Sequence, residues 1–195
     1  MVVLIHHRLR VAGLALAALL VARASHAETL RTLDDALAAT FPGARVEART
    51  LVLGAGEQRL VAQRARARCE ARLVTAHVAW RGDSLVGAAY TDRRVVRTRE
   101  ALLFVAVGAD SAVARIEVLA FFEPPDYRPA PRWLDRFRGQ RQGPRLTPGN
   151  AIPNLSGATL TSRAVTESAR LALAWHELLL LPRLAVSGPA PRRAP

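Results

Sequence analysis

A turn of small residues directly before an apolar helix is the part of this chain best suited to chemistry. Ser156-Gly157-Ala158-Thr159 is followed by Leu160, Thr161 and Ser162, so hydroxyls and backbone N–H groups gather where the helix begins. The first turn of a helix has unpaired N–H groups and about half a positive charge. This pattern favours a bound phosphate, although serine and threonine at such positions also cap helices that bind nothing.

The elements around this turn predict an α+β fold, an antiparallel sheet flanked by helices. Apolar residues at helical spacing predict that the helix runs to about Leu181 and ends at Pro182. Upstream, short apolar runs separated by turn residues predict two hairpins. Their strands cover residues 73–80 with 85–90, and residues 102–107 with 113–122. The proline-rich segment 123–150 carries aromatic residues, so we expect it to pack against this domain.

The N-terminal half adds an export signal and a smaller structured region. Residues 1–27 combine two early arginines, a wholly apolar run over 11–22 and small residues before the end, which is typical of a cleaved signal peptide. A helix ending at Pro42, a strand over 46–53 and a helix over 56–68 follow. The predicted divisions are therefore a signal peptide (1–27), an N-terminal region (28–72), a main domain (73–182) and a disordered tail (183–195).

Composition narrows the class of protein further. The chain has 195 residues, 50% of them hydrophobic and 23% charged, which disfavours disorder, collagen and a polytopic membrane protein. The formal charge is +12, but every basic residue is arginine, a bias more typical of coding composition than of nucleic-acid binding. We predict no nucleic-acid partner, and we interpret Arg64, Arg66, Arg68 and Arg72 as a solvated face or a contact for an acidic protein.

No metal site or catalytic group stands out. His77 and His176 have no neighbouring cysteine or histidine at metal-ligand spacing, so both are interpreted as structural. The single cysteine, Cys69, excludes an internal disulfide framework. We therefore predict neither a catalytic residue nor a metal.

The motif over 156–162, with Ala164-Val165 behind it, resembles the flavin-attachment motif of FMN-binding domain proteins. These include the C subunit of the sodium-pumping NADH:quinone reductase and the G subunit of the Rnf complex. The stretch 118–127 and the Trp133-containing turn over 133–139 are similar to the strand, acidic loop and tryptophan turn of that family. The likeness covers about residues 73–175.

The resemblance implies a site and a cofactor. FMN would be joined through its phosphate to Thr159 by a flavin transferase that uses FAD and magnesium. The other residues implied at the FMN site are Ser156, Gly157, Ala158, Leu160, Thr161, Ser162, Glu123, Tyr127 and Trp133. Tyr127 and Trp133 are expected beside the flavin ring, although either could equally be plain core.

The resemblance implies an electron carrier and not a stand-alone enzyme. It would lie in the periplasm, at or near the inner membrane, and exchange electrons with periplasmic or membrane-bound redox proteins. One position departs from the motif, because Pro153 stands where the family has an acidic residue. The alternative is therefore a periplasmic accessory domain of the same fold that carries no flavin.

Overall fold

One antiparallel sheet organises the chain, as the computed structural model describes it for residues 28–187. The predicted signal peptide and the end of the predicted tail, residues 188–195, lie outside the described residues. The strands are β1 (Glu28–Thr29), β2 (Arg45–Val52), β3 (Leu73–Arg81), β4 (Ser84–Val95), β5 (Glu100–Gly108) and β6 (Val113–Phe121). Their order across the sheet is β1-β6-β5-β4-β3-β2. The predicted α+β class is confirmed.

Helices cover both faces of this sheet. They are α1 (Leu33–Thr40), α2 (Ala55–Ala65), α3 (Pro131–Leu134), α4 (Thr159–Trp175) and α5 (Leu181–Ser187), with a π-helical turn over His176–Leu180 between α4 and α5. The sheet has a hydrophobic core on each face, and alternate residues of β5 point into one core or the other. Leu103 and Val105 pack on the side of α2 and α4, whereas Phe104 and Ala106 pack on the side of α1. A strand buried on both faces reads as a continuous apolar run, as this one does.

The region 28–72 shares this sheet with the rest of the chain. Strand β2 pairs with β3 over eight residues, from Arg45 opposite Trp80 to Val52 opposite Leu73. Strand β1 is short and pairs only with the end of β6, at Ala120 and Phe121. Helix α1 begins after Thr32, whose side chain accepts a hydrogen bond from the N–H of Asp35.

The last helix does not end at Pro182, so that prediction is wrong. The helix widens first, because the N–H of Leu181 bonds the carbonyl of His176 five residues earlier. A proline ring needs room near the carbonyl four residues before it, and a π turn relieves that crowding. The apolar face also continues past the proline, with Leu184 buried in the core. Residues 183–187, predicted to be disordered, are therefore helical.

A buried polar pair lies at this π turn. The hydroxyl of Tyr90 and Nδ1 of His176 are 3.2 Å apart, and both side chains are almost fully enclosed. Burial lowers the pKa of His176 from 6.5 to about 4. Nε2 has no hydrogen-bond partner among the described residues, so a proton added there would be buried without an acceptor.

We expect this histidine to make the protein less stable in mild acid. Between pH 6.5 and about 4 the unfolded chain binds a proton at His176 that the folded chain does not, so stability falls as the pH falls. The loss should be on the order of 3 kcal/mol across that window. Urea unfolding at pH 7 and pH 4.5 measures it, and His176→Gln should flatten the slope. An unchanged slope in the variant would contradict this account.

Within residues 28–187, no helix has the length and apolar character needed to cross a membrane.

Candidate functional site

Helix α4 begins at Thr159, and its first turn has no side-chain cap. Gly157 has φ +74°, a left-handed conformation that costs glycine little and other residues more. Ala158 is the N-cap residue, and a methyl side chain cannot accept a hydrogen bond from the helix. The N–H of Ala158 itself bonds the carbonyl of Leu155 at 3.0 Å. The leading N–H groups of α4 are therefore left for solvent or a ligand.

The three hydroxyls of this turn have different environments. Thr159 is exposed. Thr161 is buried, and its Oγ1 donates to the carbonyl of Tyr127 at 2.8 Å. Ser162 is fully buried, with no partner for its hydroxyl among the described residues. Contrary to the sequence expectation, the hydroxyls do not gather at one place, and of these three residues only Thr159 is exposed at the helix start.

A cavity of about 400 Å³ lies in front of this helix start. Its lining residues are Arg97, Tyr127, Gly157, Ala158, Thr159, Leu160 and Thr161. Six of these seven were predicted as site residues, so the structure brings them together. Gly157, Thr159 and Leu160 are exposed, which leaves the cavity open to solvent.

The sequence analysis did not identify Arg97, which comes from the turn between β4 and β5. Its guanidinium carbon lies 4.3 Å from the centre of the Tyr127 ring, in cation–π contact. This places a full positive charge beside the partial positive charge of the helix start. No sequence signal distinguished Arg97 from the nearby Arg94 and Arg99, because residues 91–101 lie between the two predicted hairpins and were assigned to no element.

The side chain of Glu123 holds the turn between β4 and β5 in place. Its Oε1 accepts the N–H groups of Arg97, Thr98 and Arg99 at 2.9, 2.6 and 2.8 Å, and the side chain is 7% exposed. Burial alone would raise the pKa of this carboxyl. The three N–H donors and the Arg97 charge outweigh that effect and hold the pKa of Glu123 below its usual value of 4.5. Glu123, which was predicted as an FMN-site residue, does not line the cavity. It fixes the backbone that carries Arg97.

Trp133 also lies away from the cavity. It is buried against Phe137, with ring centres 5.3 Å apart, and its Nε1 donates to the carbonyl of Pro153 at 2.9 Å. Of the two interpretations given for Trp133, a flavin neighbour or a core residue, its burial and the bond made by its N–H favour the core residue. It anchors the chain that leads into the motif. Ser156 precedes the cavity and is exposed.

The remaining candidate residues do not line this cavity. His77 is half-buried in β3, and His176 belongs to the Tyr90 pair. The arginines predicted as a solvated face, at 64, 66, 68 and 72, are all exposed. Arg64 bonds Glu177 at 2.7 Å and so joins α2 to the π turn.

Comparison with known proteins gives one match, to a family model. Residues 100–174 match the family model described as FMN-binding domain. This range includes Glu123, Tyr127, Trp133 and the whole motif over 156–162, whereas Arg97 lies just before it. Neither the curated proteins nor the solved structures give a match.

Proposed function

Because the chain contains an FMN-binding domain, whose cofactor is FMN, we propose that it carries the flavin through a phosphoester to Thr159 and acts as an electron carrier. One observation carries the proposal. The exposed hydroxyl of Thr159, the uncapped start of α4 and the Arg97 guanidinium border the same open cavity.

These residues fit a flavin phosphate. A phosphodiester keeps one negative charge, and both the helix start and Arg97 favour an anion at this place. The N–H groups of the first turn supply donors. The approach beside Gly157 is clear, since no atom outside Gly157 and its two chain neighbours lies within 4 Å of where its Cβ would be. Tyr127 and Leu160 add apolar surface at the rim for part of a flat ring.

Loading of the flavin would be a group transfer onto this chain. The Thr159 oxygen would form a bond to the FMN phosphorus of FAD, the pyrophosphate bond would break, AMP would leave, and the hydroxyl proton would be released. A threonine hydroxyl is a weak nucleophile near neutral pH. No described carboxylate or imidazole borders the cavity, so the base and the magnesium would come from the flavin transferase.

The openness of the site supports the proposed carrier role. Bound FMN can accept and release electrons in steps of one or two. Thr159 and Leu160 are exposed, so a redox partner could approach a flavin held there. The predicted export signal would place this exchange in the periplasm, with periplasmic or membrane-bound partners. The narrower likeness to the subunits of the two membrane complexes rests on the sequence resemblance alone.

Co-expression with a flavin transferase tests the proposal. The purified protein should gain the mass of one FMN residue and fluoresce in a denaturing gel, which removes flavin that is not covalently bound. Sequencing of its N-terminus should show cleavage after about residue 27. A chain that stays colourless beside a reference substrate loaded by the same enzyme would favour the alternative, a flavin-free accessory domain. The observation that favours this flavin-free alternative is Pro153, which stands where the motif usually has an acidic residue.

We expect Arg97→Ala to slow flavin incorporation about tenfold, because a charge-assisted hydrogen bond to a phosphate contributes about 1.5 kcal/mol or more. Arg97→Lys should keep part of the rate. The measurement is the mass-detected time course of loading with a fixed amount of transferase.

Arg99→Ala is the matched control for this change. Arg99 is exposed on the same turn and gives the same kind of backbone N–H to Glu123, but it does not line the cavity. If both substitutions slowed loading equally, the proposal that Arg97 contacts the flavin phosphate would be wrong.

A further inference from the structure

A second cavity lies at the opposite edge of the sheet from β2, along an unpaired part of β6. Its volume is about 440 Å³. The lining residues, here called the β6 groove, are Leu30, Arg31, Arg115, Ile116, Glu117, Val118, Arg128, Pro129, Pro131, Leu134, Asp135 and Arg138. None of them belongs to the proposed flavin site.

The floor of this groove is an open strand edge. At one end, Leu30 donates to the carbonyl of Leu119 at 2.9 Å, next to the short β1 pairing. At the other end, Val113 exchanges backbone hydrogen bonds with Gly139 and Gln140, each at 2.8 Å. Between these ends, no strand within residues 28–187 pairs with the outer side of residues 114–118. That gap is about 17 Å long, enough for a strand of about five residues.

An open edge is normally short, charged or covered, because it can recruit another strand. Here the edge lies at the bottom of a groove and is lined on one side by apolar residues. Ile116 and Val118 pack toward the core that contains Leu134, so a strand added here would place alternate side chains beside Leu134 and Pro129. A donated strand would thus gain apolar contacts as well as backbone hydrogen bonds.

The other face of the groove is basic. Arg31 and Arg115 both bond Glu117, the first at 3.1 Å, so this carboxylate is already neutralised. Four arginines and two acids line the groove, and Arg138 makes no ion pair within the described chain. Side chains of an added strand that point toward Arg31 and Arg115 would be favoured if they were acidic.

We propose that the β6 groove binds an extended segment of a partner protein in which acidic and apolar residues alternate. The segment adds an antiparallel strand beside residues 114–118, in line with β1. Its apolar side chains face Leu134, and its acidic ones face Arg31 and Arg115.

The test uses a capped seven-residue peptide of alternating valine and glutamate, labelled with a fluorophore. Fluorescence polarisation should show saturable binding to the purified protein that weakens with salt. Hydrogen exchange should show new protection at residues 115–118. A peptide with lysine in place of glutamate should bind at least tenfold more weakly, and so should one whose backbone N–H groups are methylated.

Arg138→Glu and Arg136→Glu form a matched pair of protein variants. Both arginines are exposed and lie at the same turn, but only Arg138 lines the groove. Arg138→Glu should weaken the glutamate peptide about tenfold, and Arg136→Glu should change it less than twofold. Equal effects, equal binding of the lysine peptide, or no binding at 1 mM peptide would overturn the proposal. So would a dimer that already protects residues 115–118, since the occupant would then be a second copy. Flavin loading is measured separately, so failure here leaves the Thr159 proposal untouched.

Discussion

Thr159→Ala should abolish covalent flavin and leave the fold intact. Thr159 is exposed at the start of α4, and its side chain is the accessible hydroxyl bordering the cavity, so its removal leaves the transferase no oxygen to modify. Alanine is the better helix former, and exposed substitutions usually change stability by less than about 0.5 kcal/mol. Intact mass after co-expression should show no FMN adduct, against near-complete loading of the unmodified chain.

The matched controls for this result are Thr159→Ser and Thr161→Ser. Serine at position 159 keeps a hydroxyl, so this variant should still be loaded with FMN. The hydroxyl of Thr161 is already bonded to the carbonyl of Tyr127, so Thr161→Ser should leave the amount of FMN adduct unchanged. An adduct that persists in Thr159→Ala would move the attachment elsewhere. Loss of the adduct together with loss of the cooperative unfolding transition would point to misfolding.

Glu123→Ala is expected to cost about 1.5 to 3 kcal/mol of stability. The substitution leaves the N–H groups of Arg97, Thr98 and Arg99 without their shared acceptor. The three residues are exposed, so water replaces part of the lost hydrogen bonding and each lost bond costs roughly 0.5 to 1 kcal/mol. The turn that carries Arg97 should then loosen, and flavin loading should fall as well. Urea unfolding followed by tryptophan fluorescence gives the first quantity, and the loading time course gives the second.

Glu123→Gln and Asp126→Ala separate the causes. Glutamine keeps an oxygen acceptor and should lose about half as much stability, whereas Asp126 is exposed and should lose almost nothing. The pKa of Glu123 is below 4.5 in the folded chain, so its contribution is complete above that pH and is lost as the pH falls through the folded value. Glu123→Gln should remove this acid dependence. An alanine variant as stable as the parent chain would exclude the carboxylate as the anchor of the turn.

Short-range patterns in the sequence predicted the sheet well. Apolar runs bounded by turn residues located β3, β5 and β6 to within a few residues. The end of β4 was missed, because Asp92, Arg93 and Arg94 interrupt the apolar pattern. These residues stay in the strand through pairing with β5, where Val95 lies opposite Glu100. Only the partner strand determines that extension.

The site was less accessible to sequence reasoning than the fold. The motif over 156–162 could be located from its small residues and hydroxyls. The separate environments of Thr159, Thr161 and Ser162 depend on which face of α4 is buried. Arg97 reaches the cavity because the carboxylate of Glu123, 26 positions away in the chain, holds the turn that carries it. Local spacing in the sequence does not indicate such a contact. The local sequence likewise does not indicate the π turn before Pro182 or the burial of Leu184 in the core, which let the helix continue past that proline.

The bond between the Trp133 indole and Pro153 uses a main-chain oxygen, and every amino acid has one. The ring of Pro153 itself is exposed. The hydrogen bond that position 153 accepts from Trp133 therefore does not depend on which side chain is present there. Substitutions at position 153 would therefore be nearly neutral for folding. An aspartate at this position could change how a modifying enzyme recognises the motif and would leave the path of the chain into α4 unchanged.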